Sequence, residues 1–278
     1  MIELLRLLAL LAVLIVIFGT LERMAPLHRK KFLRKAFGVD LAYYFLNSLL
    51  PKLLLILPLT QLARTAHHFY AASGFHWTAS LPLGVRVVLA VVVAEVGTYW
   101  GHRWSHEIPW LWRFHAVHHG AEEIDWLVNS KGHPLDLVFT RLCGYIPMYL
   151  LGVAQPSGNG VDTVPVLVAF LGTLWGFFIH SNIRLRLGPL EWLVSTPAFH
   201  HWHHTYSDHV NKNYAALLPL IDKLFGTLYL PQKAWPEKYG TATPVSADIV
   251  GQLFGPLMPM TPQNVSQASQ HNNPLITR

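Results

Sequence analysis

The chain has 278 residues, of which 52% are hydrophobic and only 13% charged. That charged share is far below the roughly 25% usual for soluble domains, which argues against an ordinary soluble enzyme and for a membrane protein. The 21 Lys+Arg against 15 Asp+Glu give a formal charge of +6, which reads as basic residues gathered on the cytoplasmic side of a membrane rather than as nucleic-acid contacts.

Residues 1–20 (MIELLRLLALLAVLIVIFGT) are almost continuously apolar and long enough to cross a bilayer. A cleaved signal peptide would want its basic residues first. Here they follow, as HRKKFLRK at 28–35, which fits the cytoplasmic end of a retained helix. A second apolar run covers about 41–63, where Pro51, Lys52 and Pro58 predict a kinked or partly interfacial span. A third runs over about 81–100. Two more, 135–153 and 161–179, flank the turn-rich AQPSGNG and read as a hairpin. Cys143 lies in the first of these two runs and is the single cysteine, which excludes an internal disulfide framework and a cysteine-based zinc site. It reads as a small buried apolar residue. With 28–35 in the cytoplasm, the crossing count puts His102, His180 and the long segment after His180 on the same inner side. From about 241 the composition turns to Pro, Gln, Asn and Ser, and 261–278 read as a disordered tail. The expected architecture is an all-α integral membrane protein with about four to five transmembrane or hairpin helices. A single domain is expected over 1–260, followed by the tail.

Histidines gather on that inner face. His102 and His106 (HRWSH) are spaced i, i+4, while His115, His118 and His119 (HAVHH) are spaced i, i+3, i+4. His200, His203 and His204 repeat the triplet in FHHWHHT. Each cluster, on a helix, can direct its nitrogens to a common point. Neutral imidazole is the commonest metal-ligating side chain, and burying so many without a cation would be costly. One H-x-x-H-H arises easily by chance in a chain with 17 histidines. Two such triplets beside an H-x-x-x-H on one face point to a metal site. A structural zinc takes about four ligands and a catalytic zinc three plus water, so this count predicts two metals. The zinc-protease pattern H-E-x-x-H fails, because Trp110 stands where its second histidine belongs. Spacing does not choose among iron, zinc, copper and nickel. Two open irons would suit dioxygen chemistry and two closed zincs a structural role.

HRWSH, FHAVHH, KGHPLD, IHSN and FHHWHHTYSD, followed by NKNYAALLPLIDKLFGT, resemble the fatty acid hydroxylase/sterol desaturase superfamily of membrane enzymes over about 95–230. The resemblance implies a helical membrane fold with a cytosolic-face, histidine-lined dimetal centre, taken as di-iron, with zinc as the alternative in purified protein. It implies a reaction in which O2 and external electrons hydroxylate or desaturate a lipid. The ligands it implies are His102, His106, His115, His118, His119, His200, His203 and His204, together with His133 of KGHPLD and His180 of IHSN. Ile221 departs from the pattern, since many relatives carry Trp there, and this bears on packing more than chemistry.

His201 is expected to point away from the metals, and His209 to lie at the surface. His67, His68 and His76 fall on the outer side by the crossing count. Asp125, Asp136, Asp208 and Asp222 are candidate acceptors for ligand N–H groups, or else solvated charges and helix caps. Trp100, Trp104, Trp110 and Trp112 are expected to mark the inner interface, and secondarily to line a lipid entrance. With no G-x-G-x-x-G fingerprint and no C-x-x-C-H haem motif, electrons are expected from a separate ferredoxin, or from a cytochrome with its reductase. The partners are then a lipid, O2 and that donor, with no nucleic acid. The rival readings are a dizinc membrane hydrolase and a non-catalytic metal-binding membrane protein.

Overall fold

The computed structural model describes residues 1–29, 34–74, 77–154 and 163–259. The middle of the basic cluster, most of the AQPSGNG tip, His76 and the tail at 261–278 lie outside them. Among the described residues the chain is all-helical, with two isolated bridges, Pro26 to Ile183 and Thr205 to Tyr239.

Four helices are long and apolar enough to span a bilayer. They are α1 (Ile2–Met24), α2 (Phe37–Ser73), α4 (Leu83–Glu107, after the one-turn α3, Trp77–Ser80) and α7 (Thr163–His180). The second apolar run shows the largest difference from its sequence reading. It belongs to one 37-residue helix that carries both Pro51 and Pro58 inside it and ends at Gly74 in the left-handed conformation (φ 66°). At about 1.5 Å per residue this helix far exceeds a ~30 Å hydrocarbon core. The third run also extends beyond its predicted end, because α4 continues past Trp100 to Glu107 and carries His102 and His106.

Helix α6 (Pro134–Leu150) packs on α4 through small residues. A Cβ at Gly97 would fall 2.1 Å from the Cys143 carbonyl oxygen, and one at Gly101 would fall 2.8 Å from Cys143 Cβ. The backbones therefore touch where side chains would otherwise hold them apart. On the other side of α2, a core of Leu7, Leu14, Phe18, Tyr44, Trp126 and Phe177 joins α1, α2, α7 and the 3₁₀ turn Trp126–Ser130. A buried ionic cluster fixes that turn's exit. Arg34 pairs with Asp125 (2.5 Å) and Asp40 (2.6 Å), and Lys131 Nζ lies 3.7 Å from Asp40.

The remaining helices are short and frame one end of the bundle. They are α5 (Pro109–His119), α8 (Pro197–His203), α9 (Pro219–Leu224) and α10 (Ile249–Phe254). Pro109 cannot continue α4, so the chain turns at Ile108 and α5 folds back against the helix it left.

Candidate metal centre

Four helices converge here. α4 supplies His102 and His106, α5 supplies His115, His118 and His119, and the last residue of α7 is His180. α8 begins with Thr196, whose Oγ1 accepts the Phe199 N–H, and with Pro197 at its first turn; it carries His200 and His203, with His204 just past its end.

The histidines fall into two groups, His102, His106, His115, His119 and His203 in one and His118, His180, His200 and His204 in the other. Within each group the candidate ligand nitrogens all lie within 4.8 Å of one another. The groups adjoin, with the His119 and His204 rings stacked at 4.6 Å. Each triplet is therefore split between the two groups, whereas the spacing predicted one common point per cluster. Helical geometry explains the split. At about 100° per residue, positions i and i+4 lie about 40° apart, while i+3 points about 60° to the other side of i. His115 and His119 thus face one group and His118 the other; His200 and His204 face the second group and His203 the first.

Hydrogen bonds on the outer ring nitrogens fix the tautomers. Nδ1–H donates from His102 to Tyr214 O (2.7 Å), from His118 to Lys131 O (2.7 Å), from His180 to Gly176 O (2.7 Å) and from His203 to Lys212 O (2.9 Å). His115 donates to Asp136 Oδ2 at 2.9 Å and His106 to Asn211 Oδ1 at 3.2 Å. A ring whose proton sits on Nδ1 presents a bare lone pair at Nε2. Those Nε2 atoms face one another, at 3.2 Å for His180 and His118 and 3.1 Å for His102 and His115, and His200 Nε2 lies 3.0 Å from that of His180. Lone pairs so directed repel unless a cation lies among them. Burial holds His118, His119, His200, His203 and His204 well below the usual imidazole pKa, so they are neutral at pH 7, the form that binds metal. The donor set therefore fits two divalent transition-metal ions, and imidazole alone leaves their element open.

Of the ten histidines named from the sequence, His133 is not brought to either group. Its Nδ1 accepts the Leu135 N–H at the start of α6 (3.2 Å), and its Nε2–H donates to Leu253 O (3.0 Å). Both nitrogens are taken by backbone. His201 turns outward, with Nδ1 accepting from Tyr239 Oη (2.9 Å) and Nε2–H donating to Ser181 O (3.1 Å). His209 is exposed and stacks on Tyr229, and His67 and His68 are exposed on α2. Among the four candidate carboxylates, Asp136 alone bonds a grouped histidine. Asp125 pairs with Arg34 and caps the turn at 126–130, Asp208 is exposed, and Asp222 accepts the N–H groups of Tyr214 and Ala215 (2.8 Å each). Asp222 thus holds the loop whose carbonyls orient His102 and His203, with Ile221 packed beside it against Tyr99 and Tyr214. Trp104 and Trp110 are exposed as an interface role requires. Trp112 instead is fully buried, its ring 5.1 Å from His106 and 5.5 Å from His119.

Sequence reasoning assigned no role to Asn211 or to the carbonyls of Lys131, Gly176, Lys212 and Tyr214. Carbonyls carry no residue signature, and the only trace of this loop was the NKN run, whose Asn211 and Asn213 adopt left-handed φ of 61° and 59°.

A model of the fatty acid hydroxylase family matches residues 87–227. An ornithine lipid hydroxylase of Rhizobium tropici is 37% identical over 65% of this chain and 53% of its own length. The alkylglycerol monooxygenase of Danio rerio is 35% identical over 50% of this chain and 29% of its own. A very-long-chain aldehyde decarbonylase of rice, Oryza sativa, is 26% identical over 60% of this chain and 28% of its own. The chain thus matches about half or less of each of these relatives. No solved structure matches.

Proposed function

The chain belongs to the fatty acid hydroxylase family, and from that premise we propose that it is a membrane-bound non-haem di-iron oxygenase that hydroxylates a lipid with O2 and external electrons. The observation that carries the proposal is the convergence of nine buried or nearly buried imidazoles into two adjoining groups, six of them held by Nδ1 so that Nε2 faces inward. The relatives add support, since one is named for hydroxylating an ornithine lipid and another for oxygenating an alkylglycerol. Hydroxylation is preferred to desaturation on the strength of those names.

Two irons held by these groups would supply the dioxygen activation that an unactivated C–H bond requires. The protein's own residues supply the rest. The Nδ1 acceptors lock each ring in the tautomer that presents Nε2. Asp136 strengthens His115 as a donor through a charge-assisted hydrogen bond. Trp112 closes one side of the His106 and His119 group and keeps water from it. On this reading the centre faces the cytoplasm, a side supported by the basic sequence at 28–35 under the positive-inside rule, and a separate ferredoxin or cytochrome with its reductase delivers electrons there.

The test is metal content per chain after anaerobic purification in mild detergent, followed by a lipid screen with reductant. About two irons per chain and O2-dependent addition of one oxygen atom to a lipid are expected. Zinc alone with O2-independent turnover would favour a hydrolase, and zinc without turnover would favour a structural centre.

A further inference from the structure

Two ring acceptors of the second histidine group depend on one stretch of chain. Lys131 O, just past the turn Trp126–Ser130, accepts the His118 Nδ1–H. Asn129 of the same turn packs on Gly176, where an added Cβ would overlap its Oδ1. Gly176 O in turn accepts the His180 Nδ1–H. The Nε2 atoms of these two rings face each other at 3.2 Å. Where the turn sits therefore sets the direction of both lone pairs.

Helix α2 grips the end of this turn. Asn47 is 7% exposed and uses both amide hydrogens there, Nδ2 donating to Ser130 O and Gly132 O at 2.9 Å each. Those carbonyls flank Lys131 on either side. About two turns earlier on the same helix, Asp40 lies 3.7 Å from Lys131 Nζ. Lys131 is thus held at its ammonium and at both neighbouring peptides, while its own carbonyl faces His118. Asn47 Oδ1 accepts no hydrogen bond among the described residues. A buried amide satisfied at one end only costs stability that a leucine of similar volume would avoid. What Asn47 supplies and leucine could not is the pair of donors to this turn.

Helix α1 holds the start of the turn. Glu22 Oε1 accepts the Trp126 N–H at 2.9 Å and the Asn182 N–H at 2.8 Å. One carboxylate oxygen so joins the first residue of the turn to the residue two beyond His180. Both Asn47 and Glu22 precede residue 87, where the family match begins.

We propose that Asn47 and Glu22 are positioning residues for the metal of the His118, His180, His200 and His204 group, through which the two N-terminal membrane helices hold one half of the centre. Asn47 acts on His118 through Lys131 O, and Glu22 on His180 through the turn and Asn182. The other group draws its ring acceptors from a separate set, namely Lys212 O, Tyr214 O, Asp136 and Asn211. Loss of either tether should therefore weaken one metal and spare the other. The assignment rests on the dimetal reading of the histidines.

The experiment is an anaerobic cobalt(II) titration of the metal-free, full-length protein in nanodiscs, read by ligand-field absorption against a competing chelator. Two sites per chain are expected, with His118→Ala removing one and His102→Ala the other. Asn47→Leu should weaken the site that His118→Ala removes by about 10-fold, the lower end of the loss when a ligand histidine's own partner is removed. It should also shift that site's absorption bands and leave the other site unchanged. In the His118→Ala background it should have no further effect on the remaining site. Glu22→Leu should act on the same site, and Glu22→Gln, which keeps an acceptor oxygen, should restore it. The Glu22 pair serves if Asn47→Leu fails to fold. A merely structural tether would weaken both sites alike, in step with thermal stability, so that result overturns the assignment. The two readings fail separately. Fewer than two sites in the parent refutes the dimetal centre and what rests on it, whereas two sites indifferent to Asn47→Leu and Glu22→Leu refute the tethers alone.

Discussion

Asp136 Oδ2 accepts the Nδ1–H of His115 at 2.9 Å with both side chains buried, while Ser105 Oγ donates to its other oxygen at 3.1 Å. A carboxylate on α6 thus sets the tautomer of a histidine on α5 and leans on α4 to do so. Removing such an acceptor from a ligand imidazole typically costs about 10- to 100-fold in metal affinity. Asp136→Ala should therefore release metal at correspondingly lower chelator concentration. Asp136→Asn keeps an acceptor oxygen without the charge and should fall between. Chelator titration with metal analysis measures this, and equal retention in all three proteins would refute the role given to Asp136.

His118 and His133 are predicted to differ sharply. His118 is one of the four histidines of its group, so His118→Ala should lose most of that group's metal. His133 caps α6 and holds Leu253 O, so His133→Ala should keep both metals and lower the melting point. A lost N-cap alone costs about 0.5–2 kcal/mol. Metal content beside thermal unfolding separates the two outcomes. Metal loss from His133→Ala equal to that from His118→Ala would return His133 to the ligand set.

That contrast shows where the sequence could be read and where it could not. The two H-x-x-H-H triplets and H-x-x-x-H were legible because helical spacing is local. How each triplet divides was not, since it depends on how α4, α5, α7 and α8 cross. His133 looked like the other histidines because its fate is decided by Leu253, 120 residues away. The apolar runs announced the spans, but the run at 41–63, read as a kinked or partly interfacial span, gave no sign that it belongs to one 37-residue helix with both Pro51 and Pro58 inside it. The tight α4–α6 contact, where Cys143 meets Gly97 and Gly101, becomes visible only once the two helices are laid together. Trp112 was grouped with the interface tryptophans by proximity in sequence, but α5 turns it inward while Trp110 stays exposed.

Acid should dismantle the centre. Burial lowers the imidazole pKa values of His118, His119, His200, His203 and His204 below the ordinary 6.5. The unfolded chain therefore binds more protons than the folded one below that pH, and stability rises with pH. This contribution is complete above about pH 6.5 and is lost as pH falls toward the depressed folded values. Metal binding pulls the same way, because the ligands must be neutral. Metal content should be flat from pH 8 to 7 and decline below about pH 6. Occupancy unchanged between pH 7 and pH 5 would contradict the argument.

Asn213 should prove as demanding as a ligand although it touches no histidine. It is fully buried with φ 59°. Its Nδ2 donates to Phe199 O (2.8 Å) and Tyr229 O (2.7 Å), and its Oδ1 accepts the Tyr229 N–H (2.7 Å). The carbonyls on either side, Lys212 O and Tyr214 O, are the acceptors for His203 and His102. Asn213→Ala would strain the left-handed backbone and orphan several buried backbone groups, costing about 3–5 kcal/mol in all. The metal of the His102 and His203 group should leave before that of the His118 and His180 group. Asn213→Gly relieves only the backbone strain, so it should recover about 1 kcal/mol and little metal. Thermal unfolding with metal analysis of both variants decides the matter. A glycine variant as stable and as metal-loaded as the parent would mean that the loop holds its carbonyls without the Asn213 side chain.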